Sequence, residues 1–127
     1  MAKQKSSKPT DKELEILRIL WTHGPSTVRR VNDAMNQAQA TGYTTTLKLM
    51  QIMVEKELLN RDKSQRQHIY KPAITEEKTQ KQLLRNLLEK AFSGSAEKLV
   101  MRALATKEIP AAELSKIKKM LEEIEGK

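Results

Sequence analysis

The residues best placed to do chemistry in this chain are hydroxyls and a cation gathered in one short stretch, Thr44, Thr45, Thr46 and Lys48 within YTTTLK, with Leu49 beside them. Threonine hydroxyls exchange hydrogen bonds with base edges or phosphates, and lysine supplies a point charge for phosphate or guanine. Leucine or a threonine methyl can meet the 5-methyl of thymine. Catalysis has no comparable set. His23 and His68 are far apart, neither has a carboxylate at a ligand-forming helical spacing, and neither a Gly-rich phosphate loop nor a G-x-S-x-G turn occurs. With no cysteine in the chain, thiol nucleophiles, thiolate zinc sites and disulfides drop out too. Neither an enzyme, nor a cofactor, nor a metal site is expected. His23 reads as a helix-end residue and Trp21 as core.

Three helices must hold that stretch in place. Thr10 with Glu13 reads as a capping box for a helix over 11–23, which carries Leu14, Leu17, Leu20 and Trp21 and stops at Gly24-Pro25. Ser26 or Thr27 can cap a second helix whose inward positions are Val28, Val31 and Met35, running to about Ala38. After Ala40, Thr41 and Gly42 break the pattern, Thr44 is expected to cap a third helix over 45–58, with Leu47, Met50, Met53, Val54 and Leu58 on its buried side. Its opposite side carries Thr45, Lys48, Leu49, Ile52 and Lys56, with no acid before Glu55. Ile52 is expected to pack beneath a neighbouring segment; Leu49 divides between packing and thymine contact.

From Leu59 the period changes. LLNRD and QHIYK read as two short strands joined by the four residues KSQR and ended by Pro72. Arg61, Lys63 and Arg66 in this hairpin could straddle a phosphate ridge, the plainer alternative being a solvated hairpin with surface cations. His68 or Tyr70 would fix it to the body. Backbone N–H groups near Thr27, Val28 and Arg29, at the start of helix two, are a further phosphate site.

Helix, helix, helix, hairpin is the order of a winged helix-turn-helix. The fold class expected is therefore mainly α with a small β-hairpin wing, the winged helix-turn-helix being followed by a three-helix C-terminal dimerisation unit. Residues 1–9 should form a flexible basic arm, 10–73 a DNA-binding domain and 74–127 a helical dimerisation domain. Charge agrees with that division. Residues 1–73 hold 13 Lys and Arg against 7 Asp and Glu, a surplus of six out of the chain's +8. The tail instead carries apolar stripes: Leu84, Leu87, Leu88 and Phe92, then Leu99, Val100 and Leu104, then Leu114, Ile117, Leu121 and Ile124. That is more apolar face than three short helices can cover alone, so a homodimer is expected, with a monomeric bundle as the alternative.

The partners that follow are double-stranded DNA with a palindromic operator and a second copy of the chain. No membrane insertion is expected, because no apolar run approaches the roughly 18 residues a span needs, and the compartment expected is the cytoplasm. A rival reading is a helical protein–protein interaction module whose cations serve only solubility. An RNA reader is disfavoured by the scarcity of aromatics for stacking.

The succession ELEILRILWTHGPSTVRRV, YTTTLKLMQIMVEKELLNRD, RQHIYKPAITEE, AFSGSAEKLVMRAL and PAAELSKIKKMLEEIE resembles the penicillinase repressor family, of BlaI/MecI type, over about residues 10–125. The resemblance implies a dimeric cytoplasmic repressor of resistance-type genes, reading its operator through Thr45, Thr46 and Lys48 with a wing at 61–70. It also implies a sensor protease as partner. Three departures stand out. Where antibiotic-responsive members carry an Asn-Phe scissile pair, this chain has Arg102-Ala103. The paired cysteines of copper-responsive relatives are absent, and the arginine common near position 52 and the glycine common near 57 are Ile52 and Glu57.

Overall fold

In the computed structural model, which describes residues 8–126, the chain runs α1 (Asp11–His23), α2 (Val28–Asn36), α3 (Tyr43–Glu55), β1 (Leu59–Asp62), β2 (Ile69–Pro72), α4 (Glu76–Ala91), α5 (Ala96–Thr106) and α6 (Ala111–Glu125). It is mainly helical, with one two-stranded antiparallel hairpin after three helices. Two compact units divide at Leu83/Leu84, inside α4. The arm expected over 1–9 lies mostly outside the described residues. At its end Pro9 is buried, so ordered packing already includes that residue.

Helix α1 starts as the sequence dictates: the Thr10 hydroxyl accepts from Glu13 N, and Glu13 Oε1 accepts from Thr10 N at 3.0 Å. Gly24, at φ 86°, ends it, its N–H reaching the Leu20 carbonyl. Thr27 caps α2 by accepting from Arg30 N. At α3 the expected cap is wrong. The helix begins at Tyr43 with Gly42 as N-cap and no side-chain cap bond, leaving Thr44 inside its first turn.

The core joins Ile16, Leu17 and Leu20 of α1, Val28, Val31 and Met35 of α2, Met50 and Met53 of α3, and Leu58, Leu59 and Tyr70 around the wing. Burying these apolar side chains, each contributing about 1.5–3 kcal/mol, is what aims the rest of α3 outward. The turn into the wing is a Schellman motif: Glu57 N donates to Val54 O and Leu58 N to Met53 O, with Glu57 itself at φ 65°. Most chains put glycine at such a position, because L side chains resist positive φ. The departure noted at Glu57 therefore leaves the turn intact, at a conformational cost.

Strand register pairs Leu59 with Pro72, Asn60 with Lys71, Arg61 with Tyr70 and Asp62 with Ile69, which leaves a six-residue loop over 63–68 instead of four. Sequence patterning gives no hint of the next feature. Ser26 pairs with Tyr70 as an isolated bridge (Ser26 N to Tyr70 O 3.0 Å, Tyr70 N to Ser26 O 2.8 Å), tying the wing to the start of α2. Farther on, Trp21 Nε1 donates to the Ile74 carbonyl, while Thr75 caps α4 by accepting from Lys78 N. Thr79, one turn in, is buried.

The second unit is different in kind. Among the described residues from Leu84 onward none is buried. Leu84, Leu87, Val100, Leu104, Leu114, Leu121 and Ile124 are exposed, and Leu88, Phe92, Leu99 and Ile117 half-buried. Ser93 and Gly94 take positive φ between α4 and α5, and Ser95 caps α5 by accepting from Lys98 N. Arg102 and Ala103 lie exposed inside α5.

Candidate nucleic-acid interface

Packing of α3 through Met50 and Met53 leaves Thr44, Thr45, Lys48, Gln51 and Ile52 exposed, with no acidic side chain on the helix until Glu55. Three elements then meet beside its amino end. Thr27, Val28 and Arg29 from the start of α2, Tyr43 and Leu47 from α3, and Arg66, Gln67, His68 and Tyr70 from the wing line one groove of about 270 Å³. The Arg29 guanidinium lies 5.2 Å from the centre of the Tyr43 ring, a cation–π contact that holds it over this groove.

Several expected site residues sit elsewhere. Thr46 is fully buried: its Oγ1 accepts from Asn32 Nδ2 at 2.8 Å and lies 3.7 Å from Met35 Sδ, so it cannot reach a base. Leu49 leans half-buried on the core. Ile52, expected to pack, is instead exposed. Lys56 is half-buried, its Nζ donating to both carboxylate oxygens of Glu13.

The wing cations do not form one ridge. Arg66 joins the groove at α2 and α3, whereas Arg61 and Lys63 line a separate cavity of about 660 Å³ with residues such as Lys56, Asn60, Ile74 and Lys78. Alternation along β1 places Arg61 on the same side as buried Leu59, and its Nε is buried with no hydrogen-bond partner. Asp62, on the opposite side, accepts from Ser64 N at 2.9 Å. That bond, aided by the Ser64 side chain and the charges of Lys71 and His68, holds its carboxyl below the usual carboxylate value.

A family model described as penicillinase repressor matches residues 9–123. The chain belongs to the penicillinase repressor family. It is 22% identical over 114 residues to a penicillinase repressor of Bacillus licheniformis, covering 90% of this chain and 89% of that one. The solution structure of the DNA-binding domain of the repressor BlaI superposes with a TM-score of 0.51 at 24% identity, over 57% of this chain and 90% of that domain. The winged helix expected from the order of the first five elements is thus the fold of that DNA-binding domain.

Tyr43 and Gln51 escape the sequence pattern. Tyr43 precedes the expected helix start, and its pairing with Arg29 is tertiary. Gln51 sits at the edge of the outward face and carries no charge to mark it. Among the described residues no helix is long and apolar enough to cross a membrane, and no group of His, Asp and Glu is placed to hold a metal.

Proposed function

We propose that this chain is a transcriptional repressor that binds a palindromic operator as a homodimer and controls resistance-type genes. The observation that carries the reading is the convergence of the α2 start, the α3 start and the wing on one groove, with Arg29 and Arg66 flanking it and exposed Thr44, Thr45 and Lys48 on the adjoining turns of α3. In such a winged helix α3 enters the major groove, the free N–H groups at the α2 start face a phosphate, and Arg66 reaches the backbone beside it. Thr45 and Lys48 meet base edges or phosphates.

The exposed apolar stripes of the tail support the same reading, because pairing of two copies through the tail would bury them. It covers Leu87, Leu104, Leu121 and their neighbours, and matches two half-sites about 34–36 Å apart, or a multiple of that spacing. Membership in a family of repressors points the same way.

The test is a fluorescence titration of the full chain against its own upstream DNA and a random duplex at physiological salt. The upstream duplex should bind at least about a thousandfold more tightly, and Lys48→Ala should reduce the slope of log affinity against log salt by about one. Equal affinity for both duplexes would reject the repressor reading and favour a protein-interaction module.

A further inference from the structure

Ile52 is 45% exposed, and with Tyr43 it is one of two large apolar side chains that the described part of the first unit leaves in the open. Both lie on α3. Tyr43 has the Arg29 guanidinium over its ring, while Ile52 does not join Leu47, Leu49 and Val54, the half-buried apolar residues of α3 that lean on the core. An apolar group on a face otherwise made of hydroxyls, a carboxamide and a cation gains nothing from phosphate. On the floor of the major groove the feature that rewards it is the 5-methyl of thymine.

Gln51 stands beside it, also exposed. Its carboxamide presents one acceptor and a donor pair, the complement of adenine N6 and N7. Consecutive helical residues advance about 1.5 Å and base pairs about 3.4 Å, so the two side chains address the same or adjacent base pairs. Lys48, four residues before Ile52, shares its side of the helix, and the acid-free run from Tyr43 to Val54 lets this face approach a polyanion. That charge pattern selects DNA over an apolar protein partner as the occupant.

Resting on the repressor reading, we infer that Gln51 and Ile52 read an A·T-containing step in each operator half-site, Gln51 bonding adenine through both amide atoms and Ile52 covering a thymine methyl. Ile52 is then a determinant of which operator this chain chooses, not a packing residue.

The experiment selects binding sites for the full chain from random duplexes, then replaces each thymine of the selected half-site by deoxyuridine, which removes the methyl and keeps the base pair. One substitution should weaken wild-type binding about fourfold, the worth of one buried methyl. Ile52→Ala should bind the parent site about fourfold more weakly and ignore that substitution, whereas Ile52→Val should stay sensitive to it. Gln51→Ala should lose about a fivefold preference for adenine at the same or the neighbouring position. Both positions are exposed, so unchanged thermal midpoints are expected for all three variants. A selected half-site in which no thymine methyl matters, or in which Ile52→Ala remains as sensitive as wild type, would overturn the assignment while leaving the repressor reading standing. Selection that enriches no sequence would overturn both.

Discussion

Lys56 Nζ donates to both carboxylate oxygens of Glu13, at 2.7 and 2.8 Å, joining the C-cap of α3 to the first turn of α1. Glu13 is buried and also closes the α1 capping box, so one carboxylate holds two elements in register. Removing its cation leaves a buried charge with only the cap bond. Lys56→Met should therefore lower the free energy of unfolding by about 1–3 kcal/mol in urea titrations. Glu13→Gln in the same chain should return part of that loss. DNA affinity of the folded Lys56→Met protein should keep its salt slope, because this lysine does not face the reading surface. A slope reduced by one would put Lys56 on a phosphate instead.

Thr45 and Thr46 are neighbours with opposite assignments. The Thr46 hydroxyl accepts from Asn32 Nδ2, which also donates to the Thr41 carbonyl at 2.9 Å, so the pair pins the loop before α3 to α2. Thr46→Val keeps the shape and removes the bond. It should cost about 1 kcal/mol of stability and leave base preference unchanged. Thr45→Val, at an exposed position, should keep stability within about 0.5 kcal/mol and alter operator affinity. Chemical denaturation paired with duplex titrations separates the two, and a base-preference change in Thr46→Val with stability intact would reverse the assignment.

What the sequence made legible was whatever depends on period and on local caps. The Thr10–Glu13 box, a cap at Ser26 or Thr27, which the structure gives to Thr27, and the Met50/Met53 seam follow from spacing. Helical period locates the outward side of α3 but does not say which borderline residue meets a neighbour: Leu49 is drawn inward, Ile52 is left out, and Thr46 is consumed by Asn32. These depend on where α1 and α2 lie. The Ser26–Tyr70 bridge and the separation of Arg61 and Lys63 from Arg66 are tertiary for the same reason. Arg61 sits on β1 while Lys63 and Arg66 sit in the loop over 63–68, whose path the alternation of the strands does not fix.

At φ 65°, Glu57 holds a left-handed conformation that a glycine adopts without a Cβ penalty. The Schellman bonds around it, Glu57 N to Val54 O and Leu58 N to Met53 O, use backbone atoms alone, so they survive loss of the side chain. Relief of about 1–2 kcal/mol is partly offset by the larger unfolded-state entropy of glycine and by the interactions of the carboxylate. Glu57→Gly should come out more stable by up to about 1 kcal/mol, seen as a raised urea midpoint with the same m-value. Glu57→Val should move the midpoint the other way, since a β-branched residue tolerates positive φ least. A lower midpoint for the glycine variant would mean that the Glu57 side chain contributes more than its backbone costs.

Leu121 on α6 is 52% exposed in a unit where none of the described residues is buried, although apolar side chains recur along all of its helices. A single copy leaves these stripes in water, and in the proposed homodimer a second copy would cover them. If Leu121 lies in that contact, an aspartate there must be desolvated without a partner on association, at a cost of several kcal/mol, while the lone chain tolerates it in solvent. Leu121→Asp should then sediment as a monomer at concentrations where wild type is a dimer, with helical content and the unfolding of the first unit unchanged. Operator affinity should fall with it, by about a hundredfold or more, because the second half-site is no longer held at high effective concentration. Binding to an isolated half-site should remain as in wild type. That contrast separates a lost interface from a damaged reading surface, and a Leu121→Asp protein that stays dimeric would place the interface elsewhere on the tail.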